Sequence, residues 1–468
     1  MLCYTIMIFE VDTHENLAEF LLRTGKGNLP LCTHRKGCGK CHVKLRSGFW
    51  ECNGKVVTAP AVLPPCCLKL KSTVGSVEIP DKETSAHKIH LAWENLSPLP
   101  SHEEPVIAVD MGSTTLAAVR IEKGKIVKSA GILNGQTAFG DNIISRIEKA
   151  ETEFSTLRQA LVDSIKQLLF ELDFESVKRI GVAGNTVMSC FLHGVSPASL
   201  GRYPFEAPQL LFPERNDLWG KVQVVTLPCL SGLIGGDIAG GLFTAGLQEG
   251  EMLLDLGTNC EMLLKSSNGL FGTSAAAGPA FEGSGIASGL RAHEGAIDRY
   301  YGKGRFSVIG STIPQGVCGS AMIDFLAVER NSGALDKFGR FVSGESFFEI
   351  APGVMISEKD IAELLKAKAA VRSAVSALEN FSGTKVKKLK LAGGFSRNLN
   401  LNSARSCGVL PDVETVVFGN LSLAGAAWAA LEPDTLPLMA RGAEELNILH
   451  LNDYPGYEEL FMKGLLLP

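Results

Sequence analysis

The sequence predicts a small α+β domain followed by a larger α/β domain made of two copies of one unit. Three observations carry that prediction. Cys32, Cys38 and Cys41 fall within ten residues of each other near the N-terminus. Two apolar strands end in Asp-x-Gly, at Asp110 and at Asp255, and each turns through small or hydroxyl-bearing residues into a second strand. A further apolar strand, residues 386–391, runs into Ala392-Gly393-Gly394.

The 468 residues allow two to four domains, and 45% hydrophobic with 20% charged residues is ordinary for a soluble globular protein. The divisions expected are a small domain at 1–80, a polar linker at 81–104, the duplicated domain at 105–432 with halves at about 105–250 and 251–432, and a packed extension at 433–468. A net charge of −5 argues against general nucleic-acid affinity. The first 80 residues instead hold ten Lys/Arg against six Asp/Glu, which reads as a solvated basic face or a surface that steers an acidic partner. Seven of twelve cysteines lie in the first 67 residues, unlike a secreted disulfide scaffold. Cys190, Cys229, Cys260, Cys318 and Cys407 sit in apolar or glycine-rich contexts and read as buried thiols. No apolar run is long enough for a membrane span, and residues 1–11 alternate rather than forming a signal core, so a cytoplasmic protein is expected.

Thiolates spaced C-x5-C-x2-C in a glycine-containing loop can converge on one metal centre. The spacing is one residue longer than the plant-type C-x4-C-x2-C…C pattern of 2Fe–2S proteins. Zinc is the alternative, but its ligands usually come as two C-x2-C pairs or one such pair with two His. The fourth ligand is Cys66 or Cys67. Counting on to the strand at 77–80 without a gap favours Cys67, and Cys52 is a weaker candidate. Strand propensity at 4–11, an amphipathic helix at 15–23, alternation at 42–46 and further strand at 67–71 and 74–79 frame the loop. This order resembles the β-grasp fold of 2Fe–2S ferredoxins.

At 106–121 an apolar strand ends in Asp110, and Gly112, Ser113, Thr114 and Thr115 form the turn. Backbone N–H groups and hydroxyls in such a turn can wrap phosphate oxygens, and the strand-end Asp can meet Mg²⁺ directly or through water. Asp255, Gly257, Thr258 and Asn259 repeat the design. Paired hairpins of this kind resemble the phosphate-binding pair of the actin-like (ribonuclease-H-like) ATPase superfamily, and Gly393 and Gly394 match its adenosine loop. A Walker-type P-loop is absent. Between and beyond the hairpins, Asp237 and Glu282 are carboxylates beside glycines and His293 a weaker candidate. A helix opening at Gly316–Ser320 offers an anion or ribose contact. A helix at 357–378 starts with a capping-box-like Ser357 and Asp360.

Taken in order, residues 180–188, Gly235-Gly-Asp237, Asp255-Leu-Gly-Thr-Asn259, residues 277–283, 316–320, 391–395 and Gly419-Asn-Leu-Ser-Leu-Ala-Gly425 resemble the ATP-dependent reductive activators of corrinoid proteins. The resemblance covers nearly the whole chain. It implies a 2Fe–2S cluster on Cys32, Cys38, Cys41 and Cys67, and ATP with Mg²⁺ between the hairpins. Asp110, Asp255 and Glu282 would be catalytic. It also implies one-electron reduction of Co(II) to Co(I) in a corrinoid protein of a methyltransferase system, fed by a low-potential electron donor. No nucleic acid or membrane partner is expected, and the ATPase fold allows a homodimer. The chain departs from the family pattern in carrying Ser113 where Thr is common and Cys260 where Gly is expected, and it leaves no room for a separate middle domain. The alternatives are an activator of a radical dehydratase, a small-molecule kinase with a vestigial metal domain, and a redox-sensing nucleotide-dependent scaffold.

Overall fold

The computed structural model describes residues 7–12, 14–24, 43–63, 65–79, 93–140 and 142–468. The chain divides into two compact units, the first over the N-terminal 86 residues and the second over most of the remainder. Cys32, Cys38 and Cys41 lie outside the described residues.

In the first unit, β1 (Met7–Val11), β7 (Gly75–Ile79), β2 (Val43–Ser47) and β5 (Ala61–Leu63) lie side by side in that order. A second sheet places β3 (Phe49–Cys52) between β4 (Lys55–Thr58) and β6 (Leu68–Leu70). The alternation expected at 42–46 puts Val43 and Leu45 inside and Lys44 and Arg46 outside. Helix α1 (Leu17–Thr24) buries Leu17, Phe20 and Leu21 against Trp50, Leu68, Leu70 and Val77. Trp50 is fully buried, and its indole N–H donates to the Ser47 carbonyl at 3.0 Å. Pro65–Cys67 form one 3₁₀ turn entering β6, and Asn16 Nδ2 ties the Cys66 carbonyl back to the start of α1 at 2.8 Å.

The second unit is built twice over. Its first sheet holds β8 (Val106–Met111), β9 (Thr115–Glu122), β10 (Lys125–Leu133), β11 (Arg179–Gly184) and β12 (Gln223–Thr226), in the order β10-β9-β8-β11-β12. The next sheet repeats that order with β13 (Glu251–Leu256), β14 (Asn259–Ser266), β15 (Gly269–Ala276), β21 (Lys388–Ala392) and β22 (Glu414–Gly419), reading β22-β21-β13-β14-β15. In both, the first two strands are antiparallel neighbours and the fourth and fifth join in parallel. Between β15 and β21 run β16 (Ala296–Gly302), β17 (Arg305–Val308), β18 (Gly316–Val317), β19 (Phe347–Ala351) and β20 (Val354–Ser357). The tail adds β23 (Leu446–Ile448) in parallel to β15.

Helices α2 (Ile143–Glu171) and α3 (Thr186–His193) serve the first sheet, and α5 (Gly319–Asn331), α6 (Glu358–Ser382) and α7 (Leu401–Ser406) the second. The capping box at α6 forms, with the Ser357 hydroxyl and the Asp360 backbone and carboxylate exchanging hydrogen bonds. Two helices cross over. α4 (Gly236–Ala245) leaves the first sheet yet packs Ile238 and Ala239 with Leu253 and Leu263 of the second. α8 (Leu421–Leu431) leaves the second sheet yet packs Leu423, Ala426 and Ala430 on Val106, Ala108 and Val119 of the first. They meet at glycines: a Cβ on Gly425 would stand 2.4 Å from the Gly240 Cα. In the tail, α9 (Leu436–Ala440), α10 (Gly442–Glu445) and α11 (Tyr457–Leu465) follow, and a Cβ on Gly464 of α11 would stand 2.9 Å from the Ala369 Cα of α6.

The second half of the expected linker is not free of the second unit. Trp93 bridges to Gly419, the Glu94 N–H donates to the Phe418 carbonyl at 3.0 Å, and Asn95 Nδ2 donates to the Val417 carbonyl at 2.8 Å. Residues 93–95 therefore lie along β22.

His193 at the end of α3 shows how the first sheet's layer responds to acid. Its Nε2 lies 2.8 Å from Thr226 Oγ1, and burial, with Arg215 and Arg158 nearby, pushes its pKa down to about 4. A lowered base contributes stability above its unfolded pKa of about 6.5 and loses it as pH falls toward the folded value. Replacing His193 by Gln keeps a partner for Thr226 and removes the titration. Denaturant midpoints are expected to fall more steeply for the wild type than for His193→Gln between about pH 6.5 and 4.

Candidate functional site

The two strand-end aspartates occupy equivalent positions. Asp110 stands one residue from the end of β8, opposite Ala117 of β9 and beside Ala183 of β11. Asp255 stands one residue from the end of β13, opposite Glu261 of β14 and beside Ala392 of β21. Both face one cavity of about 350 Å³ in the second unit, within the range of small-molecule sites. The first hairpin lines it with Gly112, Ser113, Thr114 and Thr115, and the second with Gly257, Thr258 and Asn259. Gly393, Gly394 and Glu282 also line it, so every residue expected of the nucleotide site is brought together there. His293 is not part of the lining.

Each turn is shaped by what its backbone must clear. At Gly112 a Cβ would sit 2.4 Å from the Thr115 carbonyl oxygen. At Gly393, with φ of +92°, it would sit 2.6 Å from Asp255 Oδ1. The first hairpin is braced from behind: Asn134 Nδ2 donates to the Gly112 carbonyl at 3.0 Å, and the buried Arg146 of α2 donates to the Ser113 carbonyl at 2.5 Å. Cys260, where glycine was expected, does not disturb the second hairpin. It pairs with Leu256 and turns its thiol inward toward the Gly257 carbonyl at 3.3 Å. Thr258 Oγ1 donates to Glu282 Oε1 at 2.6 Å, linking the second hairpin to the 3₁₀ turn at Pro279–Glu282.

On the far side, Phe281 and Phe395 stack with ring centroids 5.5 Å apart, and Arg291 and the α5 start at Cys318, Gly319 and Ser320 complete the wall. A Cβ on Gly319 would fall 1.9 Å from the Phe281 carbonyl oxygen, so α5 can begin this close to the turn only with glycine.

The cavity floor is acidic. Asp237 at the start of α4 and Glu261 join Asp110 and Asp255. Burial pushes Asp255 up to about 7, and the charges of Asp237 and Asp110 push the same way. Asp237 is raised by burial and by Asp110, with the Ile238 N–H partly offsetting this at 2.9 Å. Burial, then Asp237 and Asp255, hold Glu261 well above the carboxylate range. Asp110 is raised by burial but relieved by two donors from α8: Ser422 Oγ at 2.7 Å and Asn420 Nδ2 at 2.9 Å. Among the described residues no three acidic, His or Cys side chains converge closely enough to hold a bare metal ion. Asn420, Ser422, Glu261, Arg146 and Phe395 were not singled out by local pattern, although Asn420 and Ser422 lie in the Gly419–Gly425 stretch and Phe395 in the 391–395 stretch.

In the first unit, the structure separates the two neighbouring cysteines. Cys66 is buried, whereas Cys67 is partly covered and packs against the core around Trp50, Leu68 and Val77. Cys52 and Cys67 both pack at the margin of that core, and none of the described cysteines forms a disulfide. Cys190, Cys229, Cys260, Cys318 and Cys407 are buried, as expected.

A 2Fe–2S ferredoxin-like domain joined to a duplicated actin-like ATPase domain is the class that this fold and cavity define. Residues 5–71 match the 2Fe–2S iron-sulfur cluster binding domain, 106–250 the RACo middle region, and 249–468 the C-terminal domain of RACo, an ASKHA domain. The chain belongs to the RACo family. Its region 106–250, read above as the first half of the ATPase domain, is the part the family describes as its middle region.

Among curated relatives, the corrinoid activation enzyme RamQ of Eubacterium limosum is 28% identical over 381 residues, which cover 68% of this chain and 63% of that protein. The chain thus spans less than two thirds of that relative. The [Co(II) methylated amine-specific corrinoid protein] reductase of Methanosarcina barkeri is 26% identical over 399 residues, covering 74% of this chain and 73% of that protein. A solved structure described as a reductive activator for corrinoid,iron-sulfur protein shares the fold with a TM-score of 0.71 and 23% identity, covering 98% of this chain and 96% of its own. Among the described residues no helix is long and apolar enough to cross a membrane.

Asp255 generates a prediction without any ligand. A carboxyl raised in the folded state contributes stability at low pH and loses it as pH rises from about 4 through about 7. Asp255 opens partly into the cavity, so the effect is reduced by solvent. Asp255→Asn is expected to stabilise the metal-free protein by on the order of 1 kcal/mol above about pH 7 and to leave it unchanged near pH 4. Denaturant titrations in the presence of a chelator check this.

Proposed function

We propose that this protein is an ATP-dependent reductive activator that passes one electron to the Co(II) of a corrinoid protein, giving Co(I), in a methyltransferase system. The observation that carries the reading is the joining, in one chain, of a 2Fe–2S domain to a cavity where both strand-end aspartates and both hydroxyl-rich turns meet. The names of both curated relatives support the same substrate class.

In this reading the phosphates of ATP lie between Ser113, Thr114 and Thr115 on one side and Gly257, Thr258 and Asn259 on the other. Asp110 and Asp255 order hydrated Mg²⁺ and the attacking water, and Glu282, held by Thr258, acts beside them. Gly112 lets the first turn close on the phosphates, and Gly393 and Gly394 let the backbone lie against adenosine, with Phe395 and Phe281 beyond. Water attacks the γ-phosphorus, the bond to the β–γ bridging oxygen breaks, and ADP and phosphate leave. Cys32, Cys38, Cys41 and Cys67 would hold the cluster, which when bound would supply one electron from a potential of about −400 mV, with a low-potential donor outside the chain as its source. Moving an electron about 100 mV uphill costs about 2.3 kcal/mol. ATP can offset that cost only if it changes the relative affinity for the two cobalt states.

The reduced protein, Mg·ATP and a Co(II) corrinoid protein, mixed anaerobically, are expected to produce the Co(I) absorbance band. No band with any candidate corrinoid partner, or a band indifferent to ATP, overturns the proposal. Iron analysis tests the cluster separately. Cys66→Ala is expected to keep two irons per chain, whereas Cys67→Ala loses the rhombic 2Fe signal.

A further inference from the structure

Asp110 is reached across the cleft by the helix that leaves the opposite sheet. It sits on β8, yet Ser422 Oγ donates to one of its oxygens at 2.7 Å and Asn420 Nδ2 to the other at 2.9 Å. Both donors stand at the start of α8 and both are buried. The Asn420 amide is oriented from its other end, because its Oδ1 accepts the Leu423 N–H at 2.8 Å as the cap of α8. Its Nδ2 is thereby turned to Asp110. Ser422 takes no part in the cap. Alanine there would favour the helix more than serine does, so helix formation gives no reason for a hydroxyl at this buried position. The bonds occupy one acceptor direction on each carboxylate oxygen and leave the rest open. Among the described residues, no such pair of side-chain donors relieves Asp237 or Asp255.

We propose that Ser422 and Asn420 are positioning residues that fix the Asp110 carboxylate in one orientation across the cleft, so that it receives the hydrated Mg²⁺ of the bound nucleotide. The inference rests on the nucleotide reading given above. It assigns to the second sheet's helix a part in a metal interaction centred on the first sheet. Nucleotide lacking Mg²⁺ needs no such orientation, so its binding should not depend on the two side chains.

Calorimetric titration of the full-length protein with ADP, in Mg²⁺ and in EDTA, tests this alongside steady-state ATP hydrolysis. Ser422→Ala is expected to bind ADP in EDTA as the wild type does. It should lose about tenfold to a hundredfold of the affinity gained with Mg²⁺, the change that follows from losing one hydrogen bond to a charged group. Its kcat should fall by a similar factor while KM for ATP stays within about threefold. Ser422→Thr, which keeps the hydroxyl, should restore the Mg²⁺ gain. Asn420→Ser, which keeps a cap of similar strength but cannot offer the amide, should behave as Ser422→Ala does. An unchanged Mg²⁺ gain in both donor-deleting variants overturns the proposal. So does a loss of binding that is equal in Mg²⁺ and EDTA, which marks ordinary packing at the helix start. Failure of the wild type to bind ADP under either condition instead overturns the nucleotide reading, and this inference with it.

Discussion

Helices α4 and α8 approach so closely at Gly240 and Gly425 that neither position has room for a methyl group. The contact lets each sheet lend a helix to the other: α4 runs from the first sheet into the core of the second, and α8 does the reverse. Side chains at the crossing would drive the axes apart, because packed interiors do not absorb an added carbon without strain. The N-terminal ends of both helices would move with them. Asp237 stands at one of those ends, and Asn420 and Ser422 at the other. The chemistry of the cavity is thus set by a contact that contains no functional group.

What the crossing brings together is electrostatically unfavourable. Four carboxyl groups share one site, and burial is the first cause of the upward shift in each. Asp110 alone receives two side-chain donors, so negative charge is best accommodated there. A stable protein without such a site would replace some of these acids with neutral side chains. Retaining them makes sense where a cation and a polyphosphate arrive together, each compensating the other's charge and the protein's.

The duplicated architecture was legible in the chain because its signals are local. Apolar runs ending in Asp-x-Gly at residues 110 and 255 are contiguous in sequence, and so are the turns that follow them. The capping box at Ser357 and Asp360 and the alternation at Val43 and Leu45 are equally local. The residues that pattern could not supply act at a distance. Asn420 and Ser422 matter through Asp110, more than three hundred positions away, and Arg146 through the carbonyl of Ser113. Cys260 stands where glycine is expected, and sequence cannot show that its thiol points inward. Cys66 and Cys67 are adjacent, and only burial of the first separates them. The linker was read from polarity alone, which gives no sign that Trp93, Glu94 and Asn95 follow the edge of β22.

That edge pairing has a mechanical meaning. β22 ends at Gly419, and the next residue is Asn420. Along the described chain, Trp93 and its bridge to Gly419 come before any strand of the second unit. The same short segment of backbone therefore serves as mooring for the connection to the iron–sulfur unit and as mount for the side chains that hold Asp110.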